Sequence, residues 1–197
     1  MDAHGRVTSG RLFYLMGPSG AGKDSLLDAC RGARVNHRPL LVATRYITRE
    51  AGVGGEAHVA MSPEAFLQHQ TAGRFALHWR ANGRHYGIST DIDYWLARGD
   101  TVLVNGSRAH LDQAMARYQE LLVPVLVYVD PHQQRQRLLA RGREAPDEIE
   151  RRIERSRQLQ AELMDRCATV DNSDSLNRAT EQLLGLIRQY QAETVLP

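Results

Sequence analysis

Leu12-Phe13-Tyr14-Leu15-Met16-Gly17-Pro18-Ser19-Gly20-Ala21-Gly22-Lys23-Asp24-Ser25-Leu26-Leu27-Asp28-Ala29-Cys30-Arg31 is the stretch from which the fold is read. Leu12 to Met16 is an apolar run of the kind that forms a buried strand. Gly17 to Lys23 fits G-x-x-x-x-G-K. Ser25 to Arg31 continues as a helix, with Leu26, Leu27 and Cys30 spaced to pack one face. Strand, glycine loop and helix in this order make a phosphate cradle. Glycines let the backbone curl until successive N–H groups point into one concavity, and the helix N-terminus adds partial positive charge. Lys23 is placed to reach the terminal phosphates of a bound nucleotide. The pattern expects Ser or Thr after the lysine as a magnesium ligand, but here Asp24 stands there and Ser25 follows. A carboxylate is a good hard ligand for Mg²⁺ and repels phosphates unless the metal stands between them. Asp24 therefore reads as a metal ligand, direct or through water, with Ser25 beside it, or else as a cap on the helix start.

Working outward, 197 residues are enough for one domain with a real core, so residues 1–197 are expected to form a single unit. A hydrophobic fraction of 42%, a charged fraction of 24% and a net charge of +2 describe an ordinary globular chain and give no electrostatic reason to expect nucleic acid. Cys30 and Cys167 match no metal spacing and suit a reducing compartment. Residues 1–10 are polar, with no apolar signal core, and no long apolar run follows. A cytoplasmic protein without a membrane segment, with a loose N-terminal tail, is the expectation.

Strand and helix patterns alternate through most of the chain. Strands are expected at Leu40–Thr44, Phe75–Trp79, Thr101–Asn105, Val123–Val129 and Thr169–Asp171. Helices are expected over 62–72, 91–97, 110–120, 130–141, 147–165 and 176–190. Ser62-Pro63 and Asp130-Pro131 are cap-plus-proline helix starts, and Asp130 is read as a cap rather than a metal ligand. Strands separated by helices imply a parallel sheet with right-handed crossovers. Residues 45–90 break the alternation, with a loop at Gly52, Gly54 and Gly55, and read as a small subdomain inserted into a core of 10–44 and 91–197.

Two clusters suggest anion chemistry. Arg45 and Arg49, just past a strand end, can converge on one phosphate, and Tyr86 can add a neutral donor. Arg137, Arg141 and Arg152 flank the Arg141-Gly142 break, a hinge over 137–152 able to close as a lid over a triphosphate. Glu144, Asp147, Glu148, Glu150 and Glu154 interleave with the arginines there, and Arg143, Arg151 and Arg155 read as a solvated face. That dilution, and the lack of an RNA-binding aromatic motif, argue against nucleic acid. His58, His78 and His85 show no zinc spacing.

From Gly17-Pro18-Ser19-Gly20-Ala21-Gly22-Lys23 to Asn172, the sequence resembles the guanylate kinase family of P-loop nucleoside monophosphate kinases. The resemblance implies a three-layer α/β fold with a parallel central sheet, an inserted acceptor-binding subdomain and a lid, and it implies ATP and Mg²⁺. It also implies that Arg45, Arg49 and Tyr86 grip the acceptor phosphate, that Arg137, Arg141 and Arg152 are lid arginines, and that Asn172 lies by the ATP base. The family's acceptor-site tyrosine and guanine-reading glutamate correspond by position to His58 and His78, and an expected aspartate is Asn105. A donor or cation cannot replace an acceptor without leaving guanine's N–H edge unpaired. With Gly22-Lys23-Asp24-Ser25 and Val104-Asn105-Gly106-Ser107-Arg108, the chain resembles instead the ribose 1,5-bisphosphate phosphokinases of phosphonate breakdown. That implies phosphoryl transfer from ATP to a phosphorylated sugar, giving 5-phosphoribosyl 1-diphosphate. His58, His78 and Arg80 are then expected near the acceptor's second phosphate. The alternatives are a nucleotide kinase and a non-enzymatic binding module, and the intact P-loop speaks against the second. The sequence does not specify an oligomeric state.

Overall fold

All five side chains from Leu12 to Met16 are fully buried, with Leu12, Tyr14 and Met16 in one apolar cluster and Phe13 and Leu15 in another. A strand covered on both faces needs an unbroken apolar run, and this one occupies the interior of a sheet. The computed structural model describes residues 10–50 and 57–193. The first elements are β1 (Arg11–Met16), α1 (Lys23–Ala29), β2 (Arg34–Val35) and β3 (Arg38–Val42). Next come β4 (Arg45–Ile47), β5 (His58–Ala60), α2 (Pro63–Thr71), β6 (Phe75–Ala81) and β7 (Arg84–Ser89). The chain continues with α3 (Asp91–Ala97), β8 (Thr101–Asn105), α4 (Leu111–Tyr118) and β9 (Leu122–Tyr128). It closes with α5 (Pro131–Arg141), α6 (Pro146–Met164), β10 (Ala168–Asp171) and α7 (Leu176–Glu193).

The main sheet has the order β10-β9-β1-β8-β3-β2, parallel except for the antiparallel edge strand β2. One face carries α1 and α7, through Leu26, Leu27, Leu183 and Ile187. The other carries α3, α4 and α6, through Ile92, Leu96, Leu111 and Leu163. This three-layer arrangement is the expected fold. A second sheet, β5-β4-β7-β6, is built from residues 45–89, and its Ile47, Trp79, Tyr86 and Ile88 join the same cluster as Tyr14 and Met16. Leu138, Ile149 and Ile153 form a separate small core between α5 and α6.

The expected helix starts are present. Ser62 Oγ accepts from Ala65 N at 3.1 Å, and Asp130 Oδ1 accepts from His132 N at 2.8 Å. Two readings need correction. The strand expected at Leu40–Thr44 runs from Arg38 to Val42, because Asn36 and His37, at φ 48° and 64°, turn the chain into a β2–β3 hairpin. The stretch 45–90 holds four strands rather than one; β4 and β5 have three residues each, too few to show alternation. Asn82 and Gly83, at φ 48° and 72°, make the turn between β6 and β7. The tail up to residue 9 and the loop of Gly52, Gly54 and Gly55 lie outside the described residues.

Tyr14 fixes the exit of β8. Its hydroxyl accepts from Ser107 N at 2.9 Å and donates to Ser107 O at 3.2 Å. Burial pushes its pKa up to about 12, against the opposing pull of Ser107 and Arg45, so the phenol stays protonated. Gly106 lies flat on that ring, and a Cβ there would overlap Tyr14 Cζ and Cε1. Gly106→Ala is expected to destabilise the protein by about 1–3 kcal/mol through overpacking. Gly185→Ala, in α7 with open space around it, is expected to stabilise it by about 0.5–1 kcal/mol through helix propensity. Urea unfolding measures both.

Candidate active site

The loop after β1 is shaped from behind. Its carbonyls at Ser19, Gly20 and Ala21 each accept a hydrogen bond from a side chain distant in sequence. Gln134 Nε2 donates to Ser19 O at 2.8 Å, Arg137 Nη1 to Gly20 O at 3.4 Å, and Asn172 Nδ2 to Ala21 O at 2.7 Å. Gly20 and Gly22 take φ 87° and 80°, and a Cβ on Gly22 would run into the Asn172 amide. With carbonyls engaged behind it, the loop can present its N–H groups to an anion. Gln134 is wholly buried and also donates to Ser156 Oγ at 2.8 Å, which in turn donates to Arg152 O at 2.7 Å, tying the loop to α5 and α6. Lys23 Nζ donates to Gly17 O at 2.7 Å and Pro18 O at 3.2 Å, folded across the loop it serves.

This loop lines a cavity of about 630 Å³ at the C-terminal ends of β1 and β8, where parallel sheets place ligands. Arg45, Arg49, Trp79 and Tyr86 form one wall. Tyr86 and Trp79 are stacked with planes 4° apart and centroids at 5.6 Å, and the Arg45 guanidinium lies 5.5 Å from the Tyr86 ring centre. Asn105 to Arg108 follow β8, and Arg141 and Arg143 reach in from the α5–α6 connection. Asp24 faces the same space. Asn105 Nδ2 donates to its Oδ1 at 2.5 Å, and Arg45 Nη2 lies 3.7 Å away. Its side chain makes no cap hydrogen bond to α1, so of the two sequence readings the cap is not the one the geometry forms. Asp24 is the only carboxylate among the described residues lining this cavity.

The structure thus gathers Gly17, Pro18, Ser19, Gly20, Gly22, Lys23, Asp24, Ser25, Arg45, Arg49, Tyr86, Asn105 and Arg141 around one space; Ala21 is buried in the loop itself. Other candidates lie elsewhere. His78 and Arg80 are exposed and alternate with buried Trp79 on β6, so strand geometry turns them from the wall that Trp79 forms. His58 contacts Arg49 rather than the cavity: its Nδ1 lies 3.2 Å from Arg49 Nη2 and its Nε2 3.3 Å from Arg49 O. A proton on Nε2 satisfies both contacts. Arg137 lies behind the loop, its Nη2 donating to Asn172 O at 2.7 Å, and burial lowers its pKa, with Arg141 adding to the effect. Asn172 is buried beneath the loop with its amide on Ala21 O, a different task from lying at a nucleotide base. Arg152 pairs with Glu148 at 2.9 Å and Glu144 at 3.4 Å, bracing the α5–α6 connection.

Sequence reasoning missed Gln134 and gave Trp79 and Arg108 no role of their own, and Arg143, read as part of a solvated face, lines the cavity instead. A glutamine inside a polar helix looks like surface, and only the fold shows that it is buried.

The chain is 52% identical over 180 residues to the ribose 1,5-bisphosphate phosphokinase PhnN of Pseudomonas fluorescens, covering 89% of this chain and 94% of that one. It is 48% identical over 177 residues to the protein of the same name from Pectobacterium parmentieri, covering 90% and 93%. Among solved structures it is similar to guanylate kinase from Anaplasma phagocytophilum, with a TM-score of 0.68 and 16% identity over 94% of this chain and 88% of that one, a likeness of fold. No family model matches the chain.

Asn172→Ala is expected to leave Ala21 O unpaired in the interior and to cost about 1–3 kcal/mol in a denaturant titration.

Proposed function

Because the chain belongs to the ribose 1,5-bisphosphate phosphokinase family, we propose that it transfers the γ-phosphoryl group of ATP to the 1-phosphate of ribose 1,5-bisphosphate, giving 5-phosphoribosyl 1-diphosphate and ADP. One observation carries the reading beyond the relatives' names. The cavity sets a phosphate-binding loop opposite an arginine pair and, among the described residues, offers no carboxylate but Asp24. It therefore has charge for two phosphate chains and little with which to accept from a guanine's N–H edge.

On this reading the loop amides and Lys23 hold the donor's phosphates. Arg45 and Arg49, with the Tyr86 hydroxyl, grip the acceptor's reacting phosphate and aim its oxygen in line with the γ-phosphorus. That phosphate is already ionised, so no strong general base is required, and catalysis is positioning plus charge neutralisation. Arg141 and Arg143, carried by the α5–α6 connection, move over the transferring group and exclude water. His58 positions Arg49 through its ring nitrogens.

The residues present also suit magnesium. Asp24 and Ser25 both face the cavity, and Asn105 Oδ1 is buried with no hydrogen-bond partner beside Asp24. Among the described residues no three His, Cys, Asp or Glu side chains converge, which fits a cation shared between one or two side chains and phosphate oxygens. Mg²⁺, when bound, neutralises charge on the transferring phosphoryl group. No described helix is long and apolar enough to cross a membrane, and a kinase drawing on ATP with two free cysteines belongs, on this reading, in the cytoplasm.

With ATP, Mg²⁺ and ribose 1,5-bisphosphate, ³¹P NMR is expected to show the diphosphate product and ADP forming together. Lys23→Met should lower kcat about 100- to 1000-fold. Arg49→Ala should raise the acceptor KM at least about tenfold, whereas His78→Ala and Arg80→Ala, on the outward face of β6, should leave it within about twofold. Absence of the diphosphate product in the wild type would reject the proposal.

A further inference from the structure

A doubly phosphorylated acceptor needs a second anion site, and the expected one at His78 and Arg80 lies on the wrong side of β6. The cavity has another cation in reach. Arg108 lies just past the end of β8 and lines the same cavity. Its position is built. Tyr14 pins Ser107 through both backbone groups, and Gly106 lies against the Tyr14 ring, so the residue next in line leaves the fold at a fixed point.

At Arg108 the main cavity opens into a second space of about 400 Å³, and Pro18, Ser19, Asn82, Arg108 and Leu159 line both. Arg152 and Arg155 also line that annex, and Glu162 is the only acid among the described residues lining it. Its lining holds more arginine than acid, and since Arg152 is already paired with Glu144 and Glu148, the charge there rests on Arg108 and Arg155. Asn82, at the tip of the β6–β7 hairpin, adds an uncharged amide at the junction.

Arg108 is at present occupied by a carboxylate. Its Nη1 donates to Glu162 Oε2 at 2.5 Å, with the two side chains 50% and 61% exposed. An ion pair that open contributes little, about 0–1 kcal/mol, so a phosphate dianion offering several acceptor oxygens can take its place. Of the cavity's cations, Lys23 belongs to the loop, Arg45 and Arg49 to the Tyr86 wall, and Arg141 and Arg143 to the lid side. Arg108, just past β8, belongs to none of these groups.

We propose that Arg108, with Asn82 beside it, holds the phosphate of the acceptor that does not react, the 5-phosphate of the pentose, and that Glu162 keeps this arginine in place until substrate arrives. The proposal rests on the reading of function given above. It makes Arg108 a specificity-determining residue: the Arg45–Arg49–Tyr86 group takes the phosphate that every acceptor must have, and Arg108 selects those with a second.

The test pairs two ligands with two variants. Arg108→Ala is expected to raise the KM for ribose 1,5-bisphosphate about 10- to 100-fold, with the KM for ATP unchanged. By isothermal titration, wild type should bind ribose 1,5-bisphosphate more tightly than ribose 1-phosphate. Arg108→Ala should erase that difference while binding ribose 1-phosphate as the wild type does. Glu162→Gln, on an exposed helix face, should lower the KM for ribose 1,5-bisphosphate or leave it unchanged. Equal weakening of both ligands by Arg108→Ala, an unchanged KM for ribose 1,5-bisphosphate, or a KM raised by Glu162→Gln would overturn the assignment. A wild-type protein that does not turn over ribose 1,5-bisphosphate would instead bring down the functional reading itself.

Discussion

A loop that binds phosphate with its amides must have somewhere to put its carbonyls. Here three successive carbonyls, Ser19, Gly20 and Ala21, are bonded by Gln134, Arg137 and Asn172. The Ala21 carbonyl is bonded in the interior, and leaving it unpaired would cost about 1–3 kcal/mol, a sizeable part of a domain's net stability. The cradle is therefore a joint product of the N-terminal glycine motif and the C-terminal half of the chain. The same helix that holds two of the carbonyls, α5, runs directly into the connection bearing Arg141 and Arg143. The loop and these two arginines are joined through one helix, and any tilt of that helix is felt at both.

The acceptor wall shows how a shared architecture takes a different substrate. The fold is like that of a guanylate kinase, at an identity that says nothing of the acceptor. What sets the chemistry is the lining. Trp79 stacks flat on Tyr86 and backs the arginine pair with an apolar surface, where charged groups are screened less by water. Asp24 is held between Asn105 and Arg45, so the one carboxylate lining the described cavity already has partners on both sides. On the proposed reading a purine finds few acceptors there, and a compact, highly charged sugar finds several cations.

Much of this was legible in the sequence because the decisive features are local. A continuous apolar run, a glycine motif and cap-plus-proline starts at Ser62 and Asp130 each report their own geometry. The second sheet was not legible, because β4 and β5 are short and partly exposed and so lack a period. His78 corresponds to a family position and Arg80 is a cation two residues on, but the alternation Leu77, Trp79 already turns both outward. Gln134 gave no signal, because burial of a polar side chain depends on which helices pack around it. Asn172 and Arg137 were singled out, but the structure puts both under the loop rather than over the ligand. Proximity in a motif does not tell the front of a site from its back.

The most direct measurement is a comparison of initial rates for ribose 1,5-bisphosphate and GMP as acceptors, at matched ATP and Mg²⁺. A cavity with cations for two phosphates and no free carboxylate should favour the sugar bisphosphate in kcat/KM by at least about 1000-fold. Comparable turnover of GMP would contradict it.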